Sequence, residues 1–239
     1  MYRTQRHCTQ PEKLLQAGRA LALLLIGLVL FAGASTAHAQ VDATFGVRAS
    51  GGLTTFQGED SDALNDFFVG GTPAGVNLES SFRPGFGAGL FIELSFDSFD
   101  TIALRPEVGY VQRGDMIEDD SGSTTYSLTT KVDYIETPLL LKVNLPSDYY
   151  IVAGPSIGFS IGTPEIELEN LEFTDTREDT LELNDDAFES TVYGAVIGFG
   201  ASIDNVWLDL RYEHGLSEIF TGTADVQNQG VSIAVGFGF

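Results

Sequence analysis

Three groups of residues have types and spacings that could do chemistry. The first is Glu213, His214 and Ser217 in the stretch "RYEHGLSEIF". A serine activated by a histidine, with an acid to orient the ring, is the minimal set for nucleophilic acyl hydrolysis. His214 is the one histidine beyond residue 39, because His7 and His38 precede it. The second group is two acidic stretches, "EDDSG" (Glu118–Gly122) and "NDDAFE" (Asn184–Glu189). Asp119, Asp120, Asp185, Asp186 and Glu189 supply the hard oxygen donors that calcium takes, although neither stretch keeps the spacing of an EF-hand loop. The third is ten dispersed charges: Arg48, Glu93, Arg105, Glu107, Arg113, Glu136, Lys142, Asp209, Arg211 and Glu213. What each group can do depends on the elements that carry it.

Those elements are strands. Gly-rich segments with period-two alternation recur eight times, at about 43–56, 80–96, 101–114, 127–145, 149–162, 190–203, 206–219 and 230–239. No helical periodicity of any length interrupts them. Short connections at "DSFD" (Asp97–Asp100), "PSD" (Pro146–Asp148) and "DN" (Asp204, Asn205) alternate with long polar ones at about 57–79, 115–126, 163–189 and 220–229. That beat of long and short predicts an antiparallel up-and-down meander with every tight turn at one end.

The first 39 residues stand apart. Arg3, Arg6, Lys13 and Arg19 precede the apolar run Ala20–Ala34, and Ala37 and Ala39 form an A-x-A exit. This is the pattern of a cleaved secretory signal, with residues 40–239 as the exported barrel domain beginning at Gln40. The run is 15 residues long, too short to span a bilayer as a helix. The segment holds four of the 12 bases, one of the 34 acids (Glu12) and the single cysteine, Cys8. What remains has eight bases, 33 acids and no thiol, a net charge of about −25. Thiol catalysis, disulfides and cysteine metal sites are excluded there, and nucleic acid is an improbable partner for so negative a chain. A chain with no apolar stretch of 18 residues can cross a membrane only as a closed barrel.

The faces of the strands separate a membrane barrel from a soluble, lipocalin-like one. In the last strand Val231, Ile233, Val235, Phe237 and Phe239 share one face, and Ser232, Ala234, Gly236 and Gly238 share the other. The small, sparsely charged face is a poor solvated skin but suits the narrow lumen of eight strands, whose interior side chains just fill it. The predicted fold is therefore all-β, an eight-stranded antiparallel up-and-down transmembrane β-barrel. Its bulky face meets lipid, its last strand pairs with its first, and both termini lie on the short-turn, periplasmic side. Tyr110, Tyr149, Tyr150, Trp207 and Phe220 lie near predicted strand ends and are candidates for the aromatic girdles.

This frame assigns the three groups. The ten charges point inward, five of each sign, and unpaired charges in a low-dielectric core are costly, so they should pair with one another as a salt-bridged plug that sets register. A narrow path for ions or small solutes is the alternative. His214 falls on the lipid face with Leu208, Leu210, Tyr212 and Leu216, and Glu213 on the opposite one, which argues against a working triad. "GFGAG" (Gly85–Gly89) lies inside a strand and is lumen packing, not a phosphate cradle. The long connections hold 21 acids against one base, Arg177. They read as a solvated anionic surface suited to high salt, or as weak divalent-cation sites. In "PEIELENLEFTDT" (Pro164–Thr176) the alternation of Ile166, Leu168, Leu171 and Phe173 predicts a hairpin standing above the membrane.

The stretches "FGVRASGGL" (Phe45–Leu53), "GFGAGLFIEL" (Gly85–Leu94), "LRPEVGYVQRG" (Leu104–Gly114), "DYIETPLLLKV" (Asp133–Val143), "YIVAGPSIGF" (Tyr150–Phe159) and "LDLRYEHGLSEIF" (Leu208–Phe220), with the aromatic end, resemble the porin-like outer-membrane β-barrel family of Bacteroidota and relatives, which includes PorT-type proteins. The acidity departs from the usual balance of that family. The resemblance implies a bacterial outer-membrane barrel inserted by the barrel-assembly machinery, with Phe237 and Phe239 in the insertion signal. The expected role is non-enzymatic, in envelope structure or surface contacts, with no cofactor and with outer-membrane lipid as a partner. The alternatives are a narrow channel, a lipid-modifying outer-membrane enzyme, and an accessory component of protein secretion or gliding.

Overall fold

The computed structural model describes residues 41–58, 79–97, 101–119, 125–172, 175–182, 188–221 and 225–239. Residues 1–40, and with them the segment 1–39 expected to be an export signal, lie outside them. Where small or polar residues alternate with β-branched and aromatic ones, the pattern that fits a pleated surface, the chain is strand. The strands are β1 (Val41–Gln57), β2 (Glu79–Ser81), β3 (Arg83–Phe96), β4 (Ile102–Asp119), β5 (Thr125–Asn144), β6 (Tyr149–Glu172), β7 (Asp175–Glu182), β8 (Thr191–Ile203), β9 (Val206–Gly215) and β10 (Gln227–Gly238).

Eight of them close a ring. β1 pairs with β3, β3 with β4, β4 with β5, β5 with β6, β6 with β8, β8 with β9, β9 with β10 and β10 with β1, all antiparallel. The closing seam runs from Gly46↔Gly238 to Gln57↔Gln227, and the Phe239 amide donates to the Phe45 carbonyl at 2.8 Å. A closed ring leaves no sheet edge inside a bilayer, where an unpaired backbone group costs several kcal/mol. β2 continues β3 beyond Phe82 and pairs with β4, and β7 pairs with β6.

Tight turns crowd the end that holds Val41 and Phe239. Pro146–Asp148 form one 3₁₀ turn between β5 and β6. Asp204, at φ 52°, takes the left-handed conformation that Asp tolerates better than most residues, and folds β8 back onto β9. At the other end several strands run past the expected boundaries. β4 continues to Asp119, so Asp115, Glu118 and Asp119 are strand residues and not part of a loop at 115–126. β6 continues to Glu172 and turns back as β7, so much of 163–189 is a hairpin. The hairpin is the one expected from "PEIELENLEFTDT", but its second arm is a separate strand and not the outer end of β8.

The two faces are sorted as the alternation requires. Phe237 is 48% exposed, Ile233 56% and Ile203 74%, while Arg105 and Arg211 are 2% and 1% exposed. Large apolar side chains on seven of the eight barrel strands are exposed, and those of β4 are half-buried, while charged ones point into the lumen, the reverse of a soluble protein. A continuous apolar belt of this extent is a lipid-contacting surface.

Candidate functional site in the barrel lumen

The ten lumen charges form two connected sets. In the first, β3, β4 and β5 bring Glu93, Arg105 and Lys142 together. Arg105 donates to one carboxylate oxygen of Glu93 through Nε at 3.0 Å and Nη2 at 2.6 Å, and Lys142 Nζ donates to the other at 2.7 Å. Arg105 Nη1 lies 3.6 Å from Asp209, which also pairs with Arg211 and accepts from the Tyr150 hydroxyl. Arg211 grips Glu107 with two parallel bonds of 2.8 and 2.9 Å, the fork geometry that makes Arg–carboxylate pairs strong. Arg48 Nε approaches Glu107 at 3.2 Å. Seven residues thus form one chain from Lys142 to Arg48. In the second set Arg113 bridges Glu136 at 2.7 Å and Glu213 through the same nitrogen. Strand alternation put all ten residues inside, and here each has a partner of opposite sign.

Apolar layers fill the space around these charges. Phe91, Leu140, Tyr150, Val152, Val196 and Trp207 pack together towards the short-turn end. The Arg105 guanidinium lies over the Phe91, Tyr150 and Trp207 rings at 5.2, 5.1 and 5.8 Å, and Lys142 Nζ lies 4.6 Å from the Tyr150 ring centre. A cation stacked on aromatic faces is held even where water is excluded. Towards the loop end Val132, Tyr134, Phe188, Ile219, Phe220 and Val226 form a second layer, with Phe56, Val111 and Val192 against it. Between the layers lie two small cavities of about 30 and 20 Å³, both lined by Arg113 and Glu213. Each has room for one or two water molecules. The glycines make the fit possible: a Cβ on Gly198 would stand 2.9 Å from Val152 and 3.0 Å from Arg211.

Residues 38–221 match the family model for the outer membrane protein beta-barrel domain. The chain belongs to that family. It is a bacterial outer-membrane β-barrel. Among solved structures it is similar to Neisserial surface protein A, NspA (14% identity, covering 83% of this chain and 99% of that one, TM-score 0.43). It is also similar to Ail, the attachment invasion locus protein of Yersinia pestis (9% identity, 82% and 97% covered, TM-score 0.40), and to OprG from Pseudomonas aeruginosa (9% identity, 82% and 96% covered, TM-score 0.32). No curated protein matches the chain.

Glu213, His214 and Ser217 all line the larger of the two lumen cavities, but they do not bond one another. His214 sits with Tyr212 on the outward side of β9: its Nδ1 lies 3.0 Å from Gln57 Nε2 and 3.3 Å from the Tyr212 hydroxyl. Ser217 Oγ accepts from the Tyr193 amide at 2.8 Å, and Glu213 is turned inward to Arg113. Nucleophile, base and orienting acid therefore each serve a different partner. Of the metal candidates, Asp120, Asp185 and Asp186 lie outside the described residues, Asp119 is in β4, and Glu189 is held by its amide to the Ile219 carbonyl. Among the described residues no group of three or more His, Cys, Asp or Glu is placed to hold a metal ion.

Three of the five girdle candidates point the other way. Tyr150 and Trp207 belong to the lower lumen layer and Phe220 to the upper one. Tyr149 is exposed and stacks on Phe199, and Tyr110 packs on Phe86. Proximity to a strand end did not reveal the side each ring takes; the parity of Trp207 with the inward Asp209 and Arg211 would have. Sequence reading also missed a polar latch at the mouth. Asp115 is buried and accepts from the Thr55 hydroxyl at 2.7 Å and the Phe56 amide at 3.3 Å, while the Thr54 hydroxyl bonds the Gly114 carbonyl at 2.9 Å. Asp115 shares parity with Arg113, which was the available signal.

Proposed function

We propose that this chain is a closed, non-conducting and non-enzymatic outer-membrane barrel whose work is done by the acidic surface it carries above the membrane, in envelope structure or surface contact. The observation that supports this reading is the filled lumen. Charges balanced five against five, held in aromatic and aliphatic layers, set the register of the strands. They fill the lumen among the described residues, leaving cavities of about 30 and 20 Å³. Retention of such a plug is accounted for by structure alone. The engagement of Glu213, His214 and Ser217 by different partners, although they line one cavity, supports the absence of acyl hydrolysis. Residues 1–39 act as the export signal, Phe237 and Phe239 serve recognition by the barrel-assembly machinery, the termini are periplasmic, and the outer loops face outward, where divalent cations are possible partners. The PorT-type kinship of Bacteroidota, and with it an accessory part in secretion or gliding, is a finer reading within this proposal.

The test compares cells lacking the protein with cells carrying the full chain or a variant in which 59–78 and 165–182 are replaced by short turns, leaving the seam at Gln57 and the buried Phe188 in place. Envelope integrity and surface adhesion are scored, with the gel shift on boiling as the folding control. Loss of function in a folded, short-loop barrel supports a surface role. Full function of that variant would move the role to the barrel itself, and normal behaviour of cells lacking the protein would overturn the proposal.

A further inference from the structure

The barrel wall does not stop at the membrane on all sides. β6 follows β8 only as far as Phe159↔Thr191, and from Glu165 outward its partners are β5 and β7. β4, β5, β6 and β7 therefore continue above the rim as a sheet of their own. Its register sets glutamates directly against glutamates. Glu169 opposes Glu178 and Glu165 opposes Glu182 across β6 and β7, and Glu79 opposes Glu118 across β2 and β4. One row across the sheet reads Glu79, Glu118, Ser127, Glu169, Glu178. Alternation puts Glu167 on the same face. Lys131, 3.4 Å from Glu165, is on this face, and Arg83 lies near enough to Glu167 to feel its charge. Arg177 opposes Asn170 and falls on the other face, so acids still outnumber bases here.

Directly opposed side chains in an antiparallel pair have Cβ atoms about 4.5–5.5 Å apart, and like charges there are destabilising. Among the described residues β7 is the edge of this sheet and pairs with β6 alone, so it has little stability to set against that repulsion. The Debye length is about 10 Å at 0.1 M salt and 3 Å at 1 M, so the opposed pairs repel in dilute medium and are screened in concentrated salt. We propose that the β6–β7 hairpin is a salt-operated extension of the barrel, frayed when ionic strength is low and zipped onto β5 when it is high. The register alone carries this, and it needs only a folded barrel, not the surface role proposed above.

The experiment is hydrogen exchange on the purified full chain in detergent, at 0.02 and 1 M NaCl, read on peptides covering 165–182 with β9 and β10 as internal reference. The expected result is a slowing of exchange in 165–182 by roughly fivefold or more at high salt, against an unchanged barrel. The variant Glu169→Gln/Glu178→Gln should be slow at both salts. Each sample is first checked for its gel shift on boiling, and Glu178→Gln alone replaces the double variant if that one fails the check. Salt-independent exchange in the wild-type chain would overturn the proposal. So would slowing by MgCl₂ but not by NaCl at matched ionic strength, which would mean a bound divalent ion and not screening.

Discussion

At the scale of single residues, Arg113 is the point where the lumen is most exposed to disruption. It is the cation shared by Glu136 and Glu213, so Arg113→Met leaves two carboxylates facing each other in a buried site. Breaking a buried pair from one side costs about 3–5 kcal/mol, whereas removing all its charges together is often neutral. Arg113→Met should therefore lower the midpoint of denaturant unfolding markedly, and Arg113→Met/Glu136→Gln/Glu213→Gln should recover most of the loss. A second residue-scale expectation concerns His214, whose ring is engaged by Gln57 and Tyr212. His214→Ala should leave phospholipid hydrolysis in the purified barrel at the background of a heat-denatured sample, as the unaltered chain does. Activity in the unaltered chain that the substitution abolishes would reinstate the catalytic reading.

At the scale of elements, β9 shows how one strand serves two solvents. Leu208, Leu210 and Tyr212 are exposed while Trp207, Asp209 and Arg211 are buried. Leu210→Arg moves a charge to the lipid side and should cost about 2–4 kcal/mol in folding into bilayers, although its neighbour Arg211 is tolerated within the lumen. Gly198→Leu tests the lumen from β8, where a side chain would meet Val152 and Arg211; the expected outcome is a barrel that fails to close and loses its gel shift. The faces of such strands were legible because parity survives any register. Their outer lengths were less so. The strand pairing past Gly114, Lys131 and Gly162 crosses a shift between Lys131 and Asp133 and two glycines with positive φ, and these irregularities broke the alternation from which lengths were read.

At the scale of the molecule, the count of eight, the up-and-down order and the closure of β10 on β1 all followed from the spacing of turns and the apolar face of "GVSIAVGFGF". The pairing inside the barrel did not. Parity selects the ten inward charges, and would have added Asp115, but it does not select their partners. Partners depend on the stagger between strands, so the split into a chain of seven and a separate trio around Arg113 emerged only from the register. Closure should show as faster migration of the unboiled protein on a detergent gel. The most direct test of the whole account is conductance of the purified, gel-shifting barrel in a planar bilayer in symmetric salt. A closed plug of paired charges and packed rings should give no steady channel activity. A stable, reproducible unitary conductance in the unaltered chain would contradict it and make the lumen a path.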